Sequence, residues 1–261
     1  MRILFDDAAM IPYGPIDEYL TSGMASETDE QMTQIIEIHP VNPQSRLIGQ
    51  VAEVIRGGGV VAYPTDSSYA LGCHLGDTDA LERIRRIRQA GKHHNFTLVC
   101  RDLSEIAVYA RVENWAYRLL RSLTPGPYTF VLKATREVPR RLQNPKRKTI
   151  GIRVPDHPVT QALLEELGEP LMSSTLTLPG EEHPPSNAIE VLDKLSGRVD
   201  LIIDAGPCGF EPVHFVNQTT APWANWLGAE LFRDLDVSAA NPAELFASIG
   251  LSCPFQRRII P

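Results

Sequence analysis

The run Val60-Val61-Ala62-Tyr63-Pro64-Thr65-Asp66-Ser67-Ser68-Tyr69-Ala70-Leu71-Gly72 constrains the fold more than any other stretch of the chain. Four residues with a buried-strand pattern run into Pro64, which has no backbone N–H and a fixed φ. Small hydroxyl residues and Tyr69 follow, then Gly72. This pattern predicts a strand whose end opens into a polar loop, and ligands of α/β sheets collect at the carboxyl ends of strands. A strand followed by an ordinary proline turn is the plainer reading of the same residues.

The remaining periodicity places that strand among alternating helices and strands. Ser45 is the expected cap of a helix with Leu47, Val51, Val54 and Ile55 on one face, ended by Gly57-Gly58-Gly59. Asp77 caps a second helix that carries Leu81, Ile84 and Ile87 on one side and Arg83, Arg85, Arg86 and Arg88 on the other. Thr97 to Cys100, Tyr128 to Leu132, Thr149 to Val154, Leu171 to Ser174 and Val199 to Ile203 read as strands. Between them, 103–123 read as one or two helices and 157–167 as a helix closed by Gly168. Ser186 is the expected cap of a helix through Leu195. Such alternation argues for an α/β sheet. Residues 1–31 are acidic, without apolar period, and read as an N-terminal extension, with Met32 a candidate start. Residues 32–212 form the expected domain. Residues 213–261 form a C-terminal segment with a helix opened by Asn241-Pro242 and closed by Gly250.

Charge is distributed unevenly. The chain carries a net −7, yet residues 83–153 hold 17 Lys and Arg against 4 Asp and Glu, a local +13. That segment favours an anionic partner, nucleotide phosphates or an RNA backbone, over a merely solvated basic face. Four cysteines, Cys73, Cys100, Cys208 and Cys253, show neither CxxC pairing nor metal-ligand spacing, so reduced thiols in a cytoplasmic protein and no bound metal are expected. No long apolar run predicts a membrane span or a signal peptide.

Three segments, in order, resemble the YrdC/YciO-like family, which includes the threonylcarbamoyl-AMP synthases. They are Pro64 to Leu71, Pro125-Gly126-Pro127-Tyr128-Thr129, and Thr149 to His157. Ile38 to Pro43, Arg86 to Gln89 and His94 to Leu98 are similar to the YciO branch. The resemblance implies a twisted, open, mixed α/β sheet flanked by helices, with a large basic concave face. It implies ATP with Mg2+, threonine and bicarbonate as ligands, and threonylcarbamoyl-AMP for tRNA modification as product. It places Thr65 and Tyr69 in the threonine and nucleotide cleft, and Arg86 and Arg88 at a phosphate-binding Lys-x-Arg position as catalytic cations. Arg153 falls where a substrate carboxylate or phosphate is held, although a structural ion pair would also account for it. Thr129, Ser173 and Ser174 match hydroxyls of the nucleotide site, and His157 is either a ligand contact or a helix N-terminal residue.

The chain departs from that pattern in ways that bear on activity. The family's Ser-Ala-Asn becomes Ser174-Thr175-Leu176, and a hydroxyl-rich phosphate loop becomes Pro212 to Asn217. The segment after the Arg-rich helix, Gln89 to Thr97, is longer and contains Lys92, His93 and His94. Two functions are therefore expected to compete: a weak threonylcarbamoyl-AMP synthase, and a non-catalytic protein that binds double-stranded RNA or tRNA.

Overall fold

The computed structural model describes residues 33–91, 94–181 and 183–209 and the backbone of 214–217. The acidic segment 1–31, the helix expected near Pro242, Cys253, Lys92 and His93 lie outside the described residues. In chain order the elements are β1 (Gln34–Glu37), α1 (Ser45–Arg56), β2 (Val61–Tyr63), β3 (Ala70–His74), α2 (Thr78–Arg88) and β4 (Thr97–Val99). They continue with α3 (Leu103–Tyr109), β5 (Ala110–Arg111), α4 (Asn114–Leu123), β6 (Tyr128–Ala134), β7 (Thr149–Arg153) and α5 (Pro158–Leu167). The last are β8 (Leu171–Thr175), α6 (Ala188–Leu195), β9 (Leu201–Asp204) and β10 (His214–Asn217).

One mixed, open sheet takes in all the strands, in the order β1-β9-β2-β3-β8-β4-β7-β6-β10, with β5 on β6. The outer pair β1 and β9 and the inner pair β4 and β7 are parallel, whereas β3 is antiparallel to both β2 and β8. Strand β3 lies in the stretch read from sequence as continuing loop. Its five residues are buried or nearly so, and so show no polar-out alternation. Buried central strands read as short apolar runs, which periodicity alone does not assign.

Side-chain alternation divides the core in two. On one face, Leu71, Leu98, Phe130, Ile150, Ile152 and Met172 pack under α2, α3, α4 and α6. On the other, Val61, Tyr63, Ala70, Leu171 and Ile203 pack under α1 and α5. That second core stops at Val99. Beyond it on the same face, Thr97, Gly151, Val131 and Thr129 belong to neither apolar cluster. The helices thus leave part of the sheet surface uncovered, and the candidate site lies there.

Two helix caps differ from expectation. Gln44, with no side-chain cap, precedes α1, and Ser45 is its first helical residue. Asn187 rather than Ser186 caps α6, its side chain accepting from the Glu190 N–H, while Ser186 N–H donates back to the Glu190 carboxylate at 2.9 Å. The Asp77 cap is as read: Oδ1 accepts from Asp79 N–H and Ala80 N–H at 2.9 and 3.0 Å. An N-cap of this kind contributes about 1 kcal/mol. Asp77→Ala is therefore expected to lower unfolding free energy by about 1 kcal/mol in urea denaturation at an unchanged m-value.

Candidate functional site

The loop after β2 is built by its own hydroxyls. Thr65 Oγ1 accepts from the N–H groups of Ser67 and Ser68, both at 3.2 Å, and donates to the Ser68 carbonyl at 2.7 Å. Short hydroxyl side chains stabilise such turns by standing in for backbone partners. Thr160 on α5 donates to the Pro64 carbonyl at 2.6 Å and anchors the start of the loop. The loop then reaches β7: Arg153 Nη2 donates to Asp66 Oδ1 and, at 3.1 Å, to Ser67 Oγ. Both charged side chains are almost fully buried, with exposures of 8% and 10%.

Beneath this loop is a narrow cleft of about 40 Å³ whose lining includes Thr65, Ser67, Thr129, Arg153, Ser173 and Ser174. Gly151 lets two of its lining residues, Thr97 and Thr129, approach each other across β7. A Cβ there would stand 3.1 Å from Thr97 Oγ1 and 3.3 Å from the Thr129 methyl. Tyr63 closes one wall, its hydroxyl 2.6 Å from Ser173 Oγ. Gly72 makes room for that ring: a Cβ on it would approach Tyr63 Cε1 to 2.9 Å. Burial pushes the Tyr63 phenol up to about 12, so it stays a neutral hydrogen-bonding group.

Ser174, next along β8, turns to the opposite side of the strand. Its Oγ accepts from Arg88 Nη1 and lies 3.0 Å from His94 Nε2, which is itself 2.8 Å from Arg88 Nη1. Arginine only donates, so His94 Nε2 is an acceptor and the ring proton sits on Nδ1. Burial, then the Arg88 and Arg85 charges, bring the His94 pKa down to about 4. Phe96 meets the His94 ring edge-on at 5.2 Å, and the Arg85 guanidinium lies 5.3 Å above the Phe96 ring.

The expected constellation is thus only partly assembled. Thr65, Thr129, Arg153, Ser173 and Ser174 line one cleft, but the Ser174 hydroxyl turns to the α2 side of β8, and Arg88 meets it there rather than in the cleft. Arg86 does not join them: it is exposed, and its Nε lies 3.4 Å from the Glu82 carbonyl one turn back. The helical step of about 100° per residue puts Arg86 and Arg88 on different sides of α2. Tyr69 is fully buried, and its hydroxyl donates to the Ile203 carbonyl at 2.9 Å, away from the cleft. His157 precedes α5, and its buried Nδ1 has no partner; burial lowers its pKa. Arg153 makes the ion pair that the sequence left as one of two readings, and it also lines the cleft. Sequence reading missed Asp66, Ser67, Tyr63 and Thr97. Asp66 alone offered a signal, as a carboxylate between hydroxyl residues directly after a strand.

The sequence and the fold match a known family. A family model for Sua5, YciO and YrdC proteins, described as Telomere recombination, matches residues 53–219. The protein YciO of Escherichia coli is 56% identical over 188 residues, covering 72% of this chain and 91% of YciO. Its crystal structure superposes with a TM-score of 0.70. A threonylcarbamoyl-AMP synthase of Vibrio vulnificus is 31% identical over 59% of this chain and 83% of the synthase. The P. abyssi Sua5 structure complexed with L-threonine has a TM-score of 0.67 at 26% identity, covering 73% of this chain and 56% of Sua5. The chain belongs to the Sua5/YciO/YrdC family.

The His94 environment sets a pH dependence. Its folded pKa, about 4, lies below the ordinary histidine value, so the unfolded chain binds more protons in between. His94 therefore favours the native state fully above pH ~6.5 and progressively less as pH falls toward 4. His94→Gln is expected to flatten the melting temperature between these limits relative to the parent, as read by thermal scans in matched buffers. An unchanged slope would show that His94 is not held neutral.

Proposed function

We propose that this protein binds ATP in the β2–β3 loop cleft and forms threonylcarbamoyl-AMP from ATP, threonine and bicarbonate at a low rate. The observation that carries this reading is a buried guanidinium, Arg153, under a hydroxyl-rich loop in a cleft lined also by Thr65, Thr129 and Ser173. The first step joins the threonine nitrogen to the bicarbonate carbon with loss of water. A carbamate oxygen then attacks the α-phosphorus, and pyrophosphate leaves. No protein nucleophile is required. The work of the chain is to hold the carbamate and α-phosphate together and to stabilise charge on the phosphate oxygens. Arg153 and Arg88 have the fork geometry for that, and Thr65, Ser67 and Ser173 are neutral hydrogen-bonding groups for the amino acid or ribose.

Mg2+ would arrive with the nucleotide. Among the described residues, no three His, Cys, Asp or Glu side chains are grouped to hold a metal, and Asp66 Oδ2 is the buried carboxylate oxygen without a partner at this loop. Such a site suits a magnesium ion held mainly by phosphates and water.

The low rate follows from two features. Where relatives place an asparagine amide on the nucleotide, this chain has Leu176, fully buried in the core. Part of the Arg153 charge is already spent on Asp66. Loss of one positioned donor costs on the order of 10²–10³ in rate. Radiolabelled pyrophosphate release is expected to require ATP, threonine and bicarbonate together, to be slow, and to fall at least ~10-fold further in Arg88→Ala. Turnover at ordinary enzyme rates would contradict the low-activity reading, and release independent of threonine would contradict the reaction itself.

A further inference from the structure

We propose, on the reading of the cleft as an anion site, that His157 is a positioning residue that sets the charge Arg153 offers there: an anion enters together with a proton, which His157 receives and Asp66 holds. Among the described residues, five buried side-chain atoms have no hydrogen-bond partner. Three of the five, Asp66 Oδ2, Arg153 Nε and His157 Nδ1, belong to one corner of the fold, where the β2–β3 loop meets the end of β7 and the start of α5.

The corner is tied together from both sides. Thr160, in the first turn of α5, donates to the Pro64 carbonyl at 2.6 Å, which holds that turn against the loop carrying Asp66. Gln161 Nε2 donates to the Pro155 carbonyl at 2.7 Å and fixes the short connection on which His157 stands. Arg153, the last residue of β7, gives Nη2 to Asp66 Oδ1 and Ser67 Oγ, and Asp66 Oδ2 is left over. After burial, the Asp66 charge is the strongest influence on His157, ahead of its exposed neighbour Asp156. The unused atoms are complementary: Oδ2 accepts, Nε–H donates, and Nδ1 does either according to its proton.

Charge decides what this arrangement does. With a neutral imidazole, Asp66 and Arg153 sum to zero, and a buried pair of that kind attracts an anion weakly. Burial lowers the His157 pKa, and the N-terminal end of α5 acts in the same direction, so the resting ring is neutral at pH 7. A proton on His157 makes Nδ1 a donor to Asp66 Oδ2. The carboxylate is then shared by two cations, and the corner carries a net positive charge beside the cleft that Arg153 lines. Linkage is reciprocal: an anion on Arg153 weakens its hold on Asp66 and so favours the imidazolium. Among the described groups facing Asp66, no other changes charge in this range. Burial pushes Tyr63 up to about 12 and Cys208 up to about 11, so both stay protonated, and arginine does not lose its proton.

The test is nitrogen-15 NMR of the labelled full chain from about pH 7.5 to about pH 5, without ligand and with sulfate, an anion that does not itself titrate in this range. Without ligand, the Arg153 guanidinium signal, assigned from its loss in Arg153→Lys, is expected to follow the His157 ring signal with a common midpoint, and to stay fixed in His157→Gln. With sulfate, the parent is expected to bind about fivefold or more tightly at the lower pH and to show a raised His157 midpoint. In His157→Gln the affinity is expected to change less than about twofold, and Asp156→Asn to behave as the parent. An Arg153 signal that stays fixed while His157 titrates, or the same pH dependence in parent and His157→Gln, would overturn the proposal and leave the cleft an anion site. Loss of the response in Asp156→Asn would overturn the part given to Asp66. An Arg153 signal that follows His157 but does not respond to sulfate would uphold the coupling and contradict the anion reading of the cleft.

Discussion

Arg153 and Asp66 form the interaction on which the cleft depends. They join the β2–β3 loop to β7 across two intervening strands of the sheet order, β8 and β4, with β3 between β2 and β8. Neither charge has appreciable access to water, so each needs the other. Removing one partner of such a pair typically costs about 3–5 kcal/mol, because the survivor is left buried and uncompensated. The pair is also incomplete: Asp66 Oδ2 and Arg153 Nε have no partner. Both unpartnered atoms belong to residues at the cleft, so the contact that shapes the loop also leaves polar atoms there unsatisfied by the chain.

The sheet explains why the cleft can exist there. Helices α1 and α5 cover one face only as far as Val99; beyond it, Thr97 on the same strand and then Gly151 on β7 and Thr129 on β6 stand in place of an apolar surface. Alternation along β8 then sends Ser173 to this face and Ser174 to the side of α2, where Arg88 and His94 meet it. One strand thus connects two polar clusters. On the α2 side Arg88 holds a serine hydroxyl and a neutral imidazole that accepts from it.

Much of this was legible in the sequence. The strand ending at Pro64, the Asp77 cap, the apolar face of α2 and the Gly168 stop after α5 each follow from local chemistry that the tertiary structure does not override. Arg153, Thr129 and Ser173, picked out by the family resemblance, come together at one cleft because their strand positions turn them to the same face. Side-chain direction was less legible where it depends on a neighbour. Tyr69 lies beside the loop, but β3 and β9 together give its hydroxyl a backbone acceptor in the interior. Arg86 shares a helix with Arg88 and points elsewhere. Asp66 was passed over because its partner is 87 residues away in sequence, a separation at which no local pattern reports contact.

A double-mutant cycle on the Arg153–Asp66 pair tests the central claim most directly. Urea denaturation of Asp66→Asn, Arg153→Met and the double variant gives the coupling energy between the two positions. If each charge is held by the other, each single variant loses about 3 kcal/mol or more, and the double loses clearly less than the sum of the two. Additive losses, within about 0.5 kcal/mol, would mean that the loop is held by its hydroxyls alone and that the ion pair does not organise the cleft.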